Sequence, residues 1–236
     1  MADSSEELTV VQLGRLPYAE GLELQERLRD AVETGRAGDT VLLLEHYPAY
    51  TVGRRSGEGE LAMERSWYAE RGIEVHETDR GGRVTYHAPG QLVGYPVMRV
   101  DDVVVHVRRM EQAMIDALGA EGIEARSRSS EGPDYTGVWV DDRKIGSIGV
   151  HVRRGISTHG FSVNVDMDME PWDWIVPCGL STQMTSVEAE SGSSPGVAGL
   201  REAVATAWAQ RCGRRTCLLD EERLRELLGF VSAGVA

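Results

Sequence analysis

The chain has 236 residues, of which 41% are hydrophobic and 27% charged, and carries a formal net charge of −13 at pH 7. That is the balance of a soluble globular protein with enough chain for a sizeable core, and it argues against general affinity for nucleic acid or anionic membrane. No run approaches the roughly 18 apolar residues of a membrane span. The three cysteines, Cys178, Cys212 and Cys217, lack framework spacing and fit a reducing, cytoplasmic setting.

Residues 1–7 read as a flexible tail rather than a secretory signal, and residues 8–236 as a single catalytic domain. Residues 8–14 predict a strand, and residues 18–35 an amphipathic helix that starts after Pro17. The unbroken apolar run at 39–46 predicts a strand buried on both faces. A short helix over 64–72 and a strand over 73–79 come next, then two strand-like runs parted by "APG" at 88–90. In 101–122, Val103, Val107, Met110, Met114 and Leu118 recur at helical spacing behind two aspartates. Strands are predicted at 122–126, 136–140, 144–154 and 160–166, with Asp141 and Asp142 turning a hairpin. A helix over 193–213 and another over 220–230 make a small C-terminal helical part from about 194. The fold class is α/β (α+β), a mixed β-sheet with flanking helices.

Lys144 is the only lysine; the other 24 of the 25 basic residues are arginine. Arginine stays charged in a protein, whereas a lysine amine can gain or lose a proton at a site. Cys178 stands between Pro177 and Gly179. There the alternatives are a small buried hydrophobe or a thiol projected into a cleft beside free backbone N–H groups. The six histidines show no metal-ligand spacing, so no metal is expected. His87 and His159 each end a strand-like run beside proline or glycine, where side chains tend to line sites. Gly81 and Gly82 would let the chain pass close to an extended ligand, but no phosphate-loop pattern surrounds them. The arginine pairs, Arg153 and Arg154 among them, read as solvated charge or, for that last pair, a patch for an acidic carrier.

Taken in order, "HYPAYTVGRR", "RGGRVTYHAPGQLVGYP", "DRKIGSIGVHVRRGISTHGFSVNV" and "VPCG" resemble the octanoyltransferases of lipoic acid synthesis, over about Leu42 to Leu180. The resemblance implies a biotin/lipoate protein ligase-like fold, no cofactor, and movement of an octanoyl group from acyl carrier protein to a lysine of a lipoyl domain. The acceptors would be lipoyl domains of 2-oxoacid dehydrogenase complexes and the glycine cleavage H protein. It makes Cys178 the acyl-thioester nucleophile and Lys144 the residue that lowers its pKa. It lines the acyl pocket with Arg80, Gly81, Gly82, Arg83, Val84, Thr85, Tyr86 and His87, with Ser147, Ile148 and Gly149, and with Gly160, Phe161 and Ser162. Ala88 departs from the family pattern, which has glycine there.

Seen in that light, the lone lysine has a use. A free thiol titrates near pH 8.5 and is only a few per cent thiolate at neutral pH, which a neighbouring ammonium or a neutral amine base would change. In the second half-reaction Lys144, His87 or His159 could accept the proton of the incoming amine. The competing readings are an ATP-dependent ligase of the same fold, an amidotransferase between lipoyl domains, an inert binding module and a cysteine hydrolase.

Overall fold

The computed structural model describes residues 6–175 and 182–230. Eleven strands and six α-helices are formed among them: β1 Glu7–Leu16, α1 Tyr18–Glu33, β2 Thr40–His46, β3 Ala49–Val52, α2 Arg65–Ala69, β4 Glu74–Glu77, β5 Thr85–His87, β6 Gln91–Val97, α3 Val103–Ala120, β7 Arg126–Ser127, β8 Gly137–Val140, β9 Arg143–Arg153, β10 Ile156–Asn164, α4 Val187–Ser191, α5 Gly196–Arg211, β11 Arg215–Leu219 and α6 Glu221–Leu227. The main sheet has eight strands in the order β11-β1-β2-β6-β10-β9-β8-β7. Its first three strands are parallel and the rest antiparallel.

Strand alternation divides the core. Leu43, Leu92, Phe161 and Val163 face α3 and α5, while Leu42, Leu44, Val93, Tyr95 and Val97 face α1 and α6. The run at 39–46 is accordingly buried on both faces of β2. Asp102 caps α3 by accepting from the N–H groups of Val104 and Val105. Met110, Met114 and Leu118 are buried as their spacing requires, but Val103 stays exposed at the first turn. Asp141 takes a left-handed φ of 51° in the two-residue turn between β8 and β9.

The structure differs from the sequence reading in three places. A second sheet, β4-β3-β5, stands apart from the first and packs its own aromatic cluster around Tyr50, Tyr68, Tyr86 and Trp172. The C-terminal part is not purely helical, because β11 extends the main sheet alongside β1. Of the strand expected at 122–126 only Arg126 is in one, as the first residue of the two-residue β7, and Ile123 instead packs into the core.

Candidate functional site

A cleft of about 260 Å³ opens where β5, β9 and β10 meet the loop of residues 80–84. Lys144, Arg80, Gly81, Gly82, Arg83, Val84, Thr85, His87, Ser147, Ile148, Gly149, His159, Gly160, Phe161 and Ser162 all border it. Tyr86 alternates away on β5 and packs against Tyr50 and Trp172, with ring centroids 5.1 and 5.9 Å away. Ala88 is buried in the same aromatic cluster and does not border the cleft. Cys178 lies outside the described residues.

The 80–84 loop is laced to the edge of β9. The Gly81 N–H donates to Val150 O at 2.9 Å, and a Cβ on Gly149 would come within 2.7 Å of Gly81 O, so this approach requires glycine. The buried Arg80 guanidinium donates to the Thr51 carbonyl at 2.6 Å and to its hydroxyl at 2.8 Å. At the rim, Arg83 is clamped by Glu60 at 2.6 Å and Asp134 at 3.2 Å, and Arg55 also reaches Asp134. These carboxylates raise the Arg83 pKa. Glu60 and Asp134 escaped sequence reading because neither stands near a motif.

Lys144 is buried, with its Nζ 5.3 Å from the centre of the Trp139 ring. Its N–H donates to Gln183 O at 2.9 Å, and its carbonyl accepts from Thr185 N–H at 3.0 Å. Residues 183–185 are thereby stitched alongside Lys144.

On the other wall Tyr18, His46, His87, Tyr95 and His159 form an aromatic cluster, with Tyr18 stacked on His87 at 5.7 Å. Tyr95 donates to His46 Nε2 at 2.6 Å while His46 Nδ1 donates to Leu16 O, so this ring is neutral; burial drops its pKa to about 4. Burial first, then the adjacent His46, holds His87 well below the usual imidazole range. Burial also lowers His159, although Asp79 accepts from its Nε2 at 2.8 Å and opposes the drop. Burial raises the Tyr18 phenol to about 12. His159 holds a left-handed φ of 57°, and its N–H donates to Gln25 Oε1 at 2.6 Å.

Two further expectations concern the surface. Arg154 pairs with Glu33 at 2.7 Å, while Arg153 is exposed. Cys212 is half-buried and its thiol pKa raised by burial, and Cys217 is exposed on β11. Among the described residues no group of three or more His, Cys, Asp or Glu is placed to hold a metal, and no helix is long and apolar enough to cross a membrane.

Residues 17–209 match the family described as the lipoyl protein ligase A/B catalytic domain. The Octanoyltransferase of Acidobacterium capsulatum is 41% identical over 225 residues, covering 88% of this chain and 89% of that protein. That of Solibacter usitatus is 47% identical over 182 residues, covering 75% and 81%. Among solved structures, lipoate-protein ligase A bound with ATP has a TM-score of 0.73 at 19% identity, covering 94% of each chain. The bi-partite lipoate protein ligase of Thermoplasma acidophilum, studied with its E2 lipoyl domain, has a TM-score of 0.72 at 17% identity and covers 98% of this chain and 100% of that one. These two likenesses establish the fold, and the closer sequence relatives establish the lineage: the chain belongs to the lipoyl protein ligase A/B catalytic-domain family, on its octanoyltransferase branch.

Proposed function

We propose that the protein carries an octanoyl group from acyl carrier protein to one lysine of a lipoyl domain, in lipoate biosynthesis, by way of a thioester on Cys178. The observation that carries this reading is Lys144: the chain's one lysine is buried at the cleft and bonded through its backbone to a segment that follows Cys178 by five residues. The octanoyltransferase relatives support the acyl group, and a fold neighbour studied with its E2 lipoyl domain supports the acceptor.

In the first half-reaction Lys144 holds Cys178 as thiolate, and the sulfur attacks the donor carbonyl. A new C–S bond forms, the carrier's C–S bond breaks, and the carrier sulfur leaves as a thiol with the proton that Lys144 held. In the second half-reaction the lipoyl-domain amine attacks the enzyme thioester, an amide forms and Cys178 is released. Val84, Ile148 and Phe161 give the chain an apolar wall, and each methylene buried contributes about 0.8 kcal/mol.

The test is intact mass after mixing the protein with octanoyl-acyl carrier protein. A hydroxylamine-labile octanoyl adduct is expected on the wild type, none on Cys178→Ser, and slow formation on Lys144→Arg. An adduct that forms equally fast on Lys144→Arg would refute the lysine's role, and one that persists on Cys178→Ser would refute the nucleophile.

A further inference from the structure

The proton that the incoming amine must lose needs a destination, and the two cleft histidines are not equivalent. His87 Nδ1 lies 2.7 Å from Gln91 Oε1. The direction of this bond is fixed by two backbone carbonyls, one beside Gln91 and one at the far end of a buried amide chain. Asn164 Nδ2 is 2.9 Å from the Thr185 carbonyl, which can only accept. Asn164 therefore turns its Oδ1 to Gln91 Nε2, at 2.9 Å, and that nitrogen also donates to the Tyr86 carbonyl at 2.9 Å. Gln91 must then offer oxygen to His87, whose Nδ1 must carry the hydrogen, leaving the lone pair on Nε2. Gln91 is 0% exposed, Asn164 2% and Thr185 4%, so water cannot scramble this order. The chain ends beside the lysine, because the Thr185 N–H donates to the Lys144 carbonyl.

His159 is arranged the opposite way. Its Nε2–H is committed to Asp79, and the remaining nitrogen, Nδ1, is sealed from solvent with no hydrogen-bond partner. His87 borders the same cleft and keeps 6% of its surface exposed.

We propose that His87 Nε2 is the acceptor of the amine proton in the second half-reaction, and that Gln91 and Asn164 are positioning residues that fix its tautomer. This deepens the reading above and rests on it. As the amine nitrogen bonds to the thioester carbon and the C–S bond breaks, the nitrogen's proton passes to Nε2. The imidazolium then returns that proton to the departing Cys178 sulfur, so each turnover closes with no co-reactant.

Single-turnover discharge of the octanoyl-enzyme onto a lipoyl domain, measured against pH beside the rate of loading, tests the assignment. His87→Ala is expected to slow discharge about 10²-fold or more and to slow loading by far less, the excess loss in discharge being the signature of the lost base. Gln91→Glu keeps an oxygen on Nδ1–H, exchanges the amide donations to Tyr86 and Asn164 for a negative charge, and should move the acid limb of discharge upward by about one pH unit. Other groups facing the ring are Tyr18 from α1, His46 from β2, Arg80 from the loop and His159 from β10; all are unchanged in this variant. Asn164→Ala removes one of the two acceptors that orient the Gln91 amide and leaves the Tyr86 carbonyl, so it should give a smaller discharge defect than His87→Ala, with discharge still losing more than loading. Undiminished discharge in His87→Ala overturns the assignment, as does an equal loss of both half-reactions in His87→Ala and Asn164→Ala, or an unmoved acid limb in Gln91→Glu. A wild type that never loads would instead overturn the thioester reading itself.

Discussion

At the scale of single residues, the position of Lys144 depends on a residue with no side chain. Gly137 stands at φ 133°, a conformation essentially reserved for glycine, beside Lys144 in the β8–β9 hairpin. A Cβ there would meet the Gly146 carbonyl oxygen and come within 2.7 Å of Lys144 Cε. Gly137→Ala is therefore expected to cost about 1–3 kcal/mol of stability and, by displacing the lysine, to slow thioester loading about 10²-fold. Urea unfolding beside the loading rate checks both parts. Lys144 was legible in the sequence because it is unique, and its neighbours Ser147 to Gly149 because their motif is dense. Gln91, Asn164 and Asp79 were not, since their partners lie 73 and 80 residues away in the chain for the Gln91–Asn164 and Asp79–His159 bonds. An amide's value in a relay follows from what faces it, and sequence spacing does not carry that.

At the scale of elements, α3 and α5 pack through a histidine that has no polar use. His106 meets Trp208 edge-on at 5.6 Å, its Nε2 is buried without a partner, and burial drops its pKa to about 4. His106→Phe keeps the aromatic contact and removes the orphaned nitrogen, so it should stabilise the fold at pH 7 by roughly 1 kcal/mol or more. The pH dependence has a definite sign. An unfolded imidazole takes up its proton near pH 6.5, whereas folded His106 resists until about pH 4. Between those values the unfolded chain binds more protons, so stability falls as pH drops through that window and is flat above it. At pH 5 the loss from His106 is on the order of 2 kcal/mol, and His46, depressed to the same value, adds a similar amount. Urea midpoints at pH 7 and pH 5 should show His106→Phe losing less than the wild type.

Elements with a buried face were the readable ones. The run at 39–46 announced β2 by its unbroken apolar residues, and the aspartates before α3 announced its cap. Strand β11 left no such mark, because four of its five residues are exposed and its parallel partner is at the other end of the chain. Strand β3, four residues long, is too short for alternation to register.

At the scale of the whole molecule, the sheet serves as the rigid frame on which distant segments converge. The 80–84 loop with β5 and the β9–β10 hairpin are two stretches far apart in the chain, yet they close one cleft, with Lys144 at one wall and His87 at another. Arrangement on this scale was legible only through the family motifs, whose order along the chain matched before any contact between them was visible. The division of labour we propose is a thiolate held by one lysine and an amine deprotonated by a histidine of fixed tautomer. In that scheme the acyl group arrives already activated as a thioester. The most direct measurement is therefore octanoyl transfer from octanoyl-acyl carrier protein to a lipoyl domain with ATP withheld, followed by mass spectrometry of the acceptor. The account predicts an acceptor octanoylated on one lysine by the wild type and unmodified by Cys178→Ser. Modification that requires free octanoate and ATP, and that survives loss of the cysteine, would contradict it.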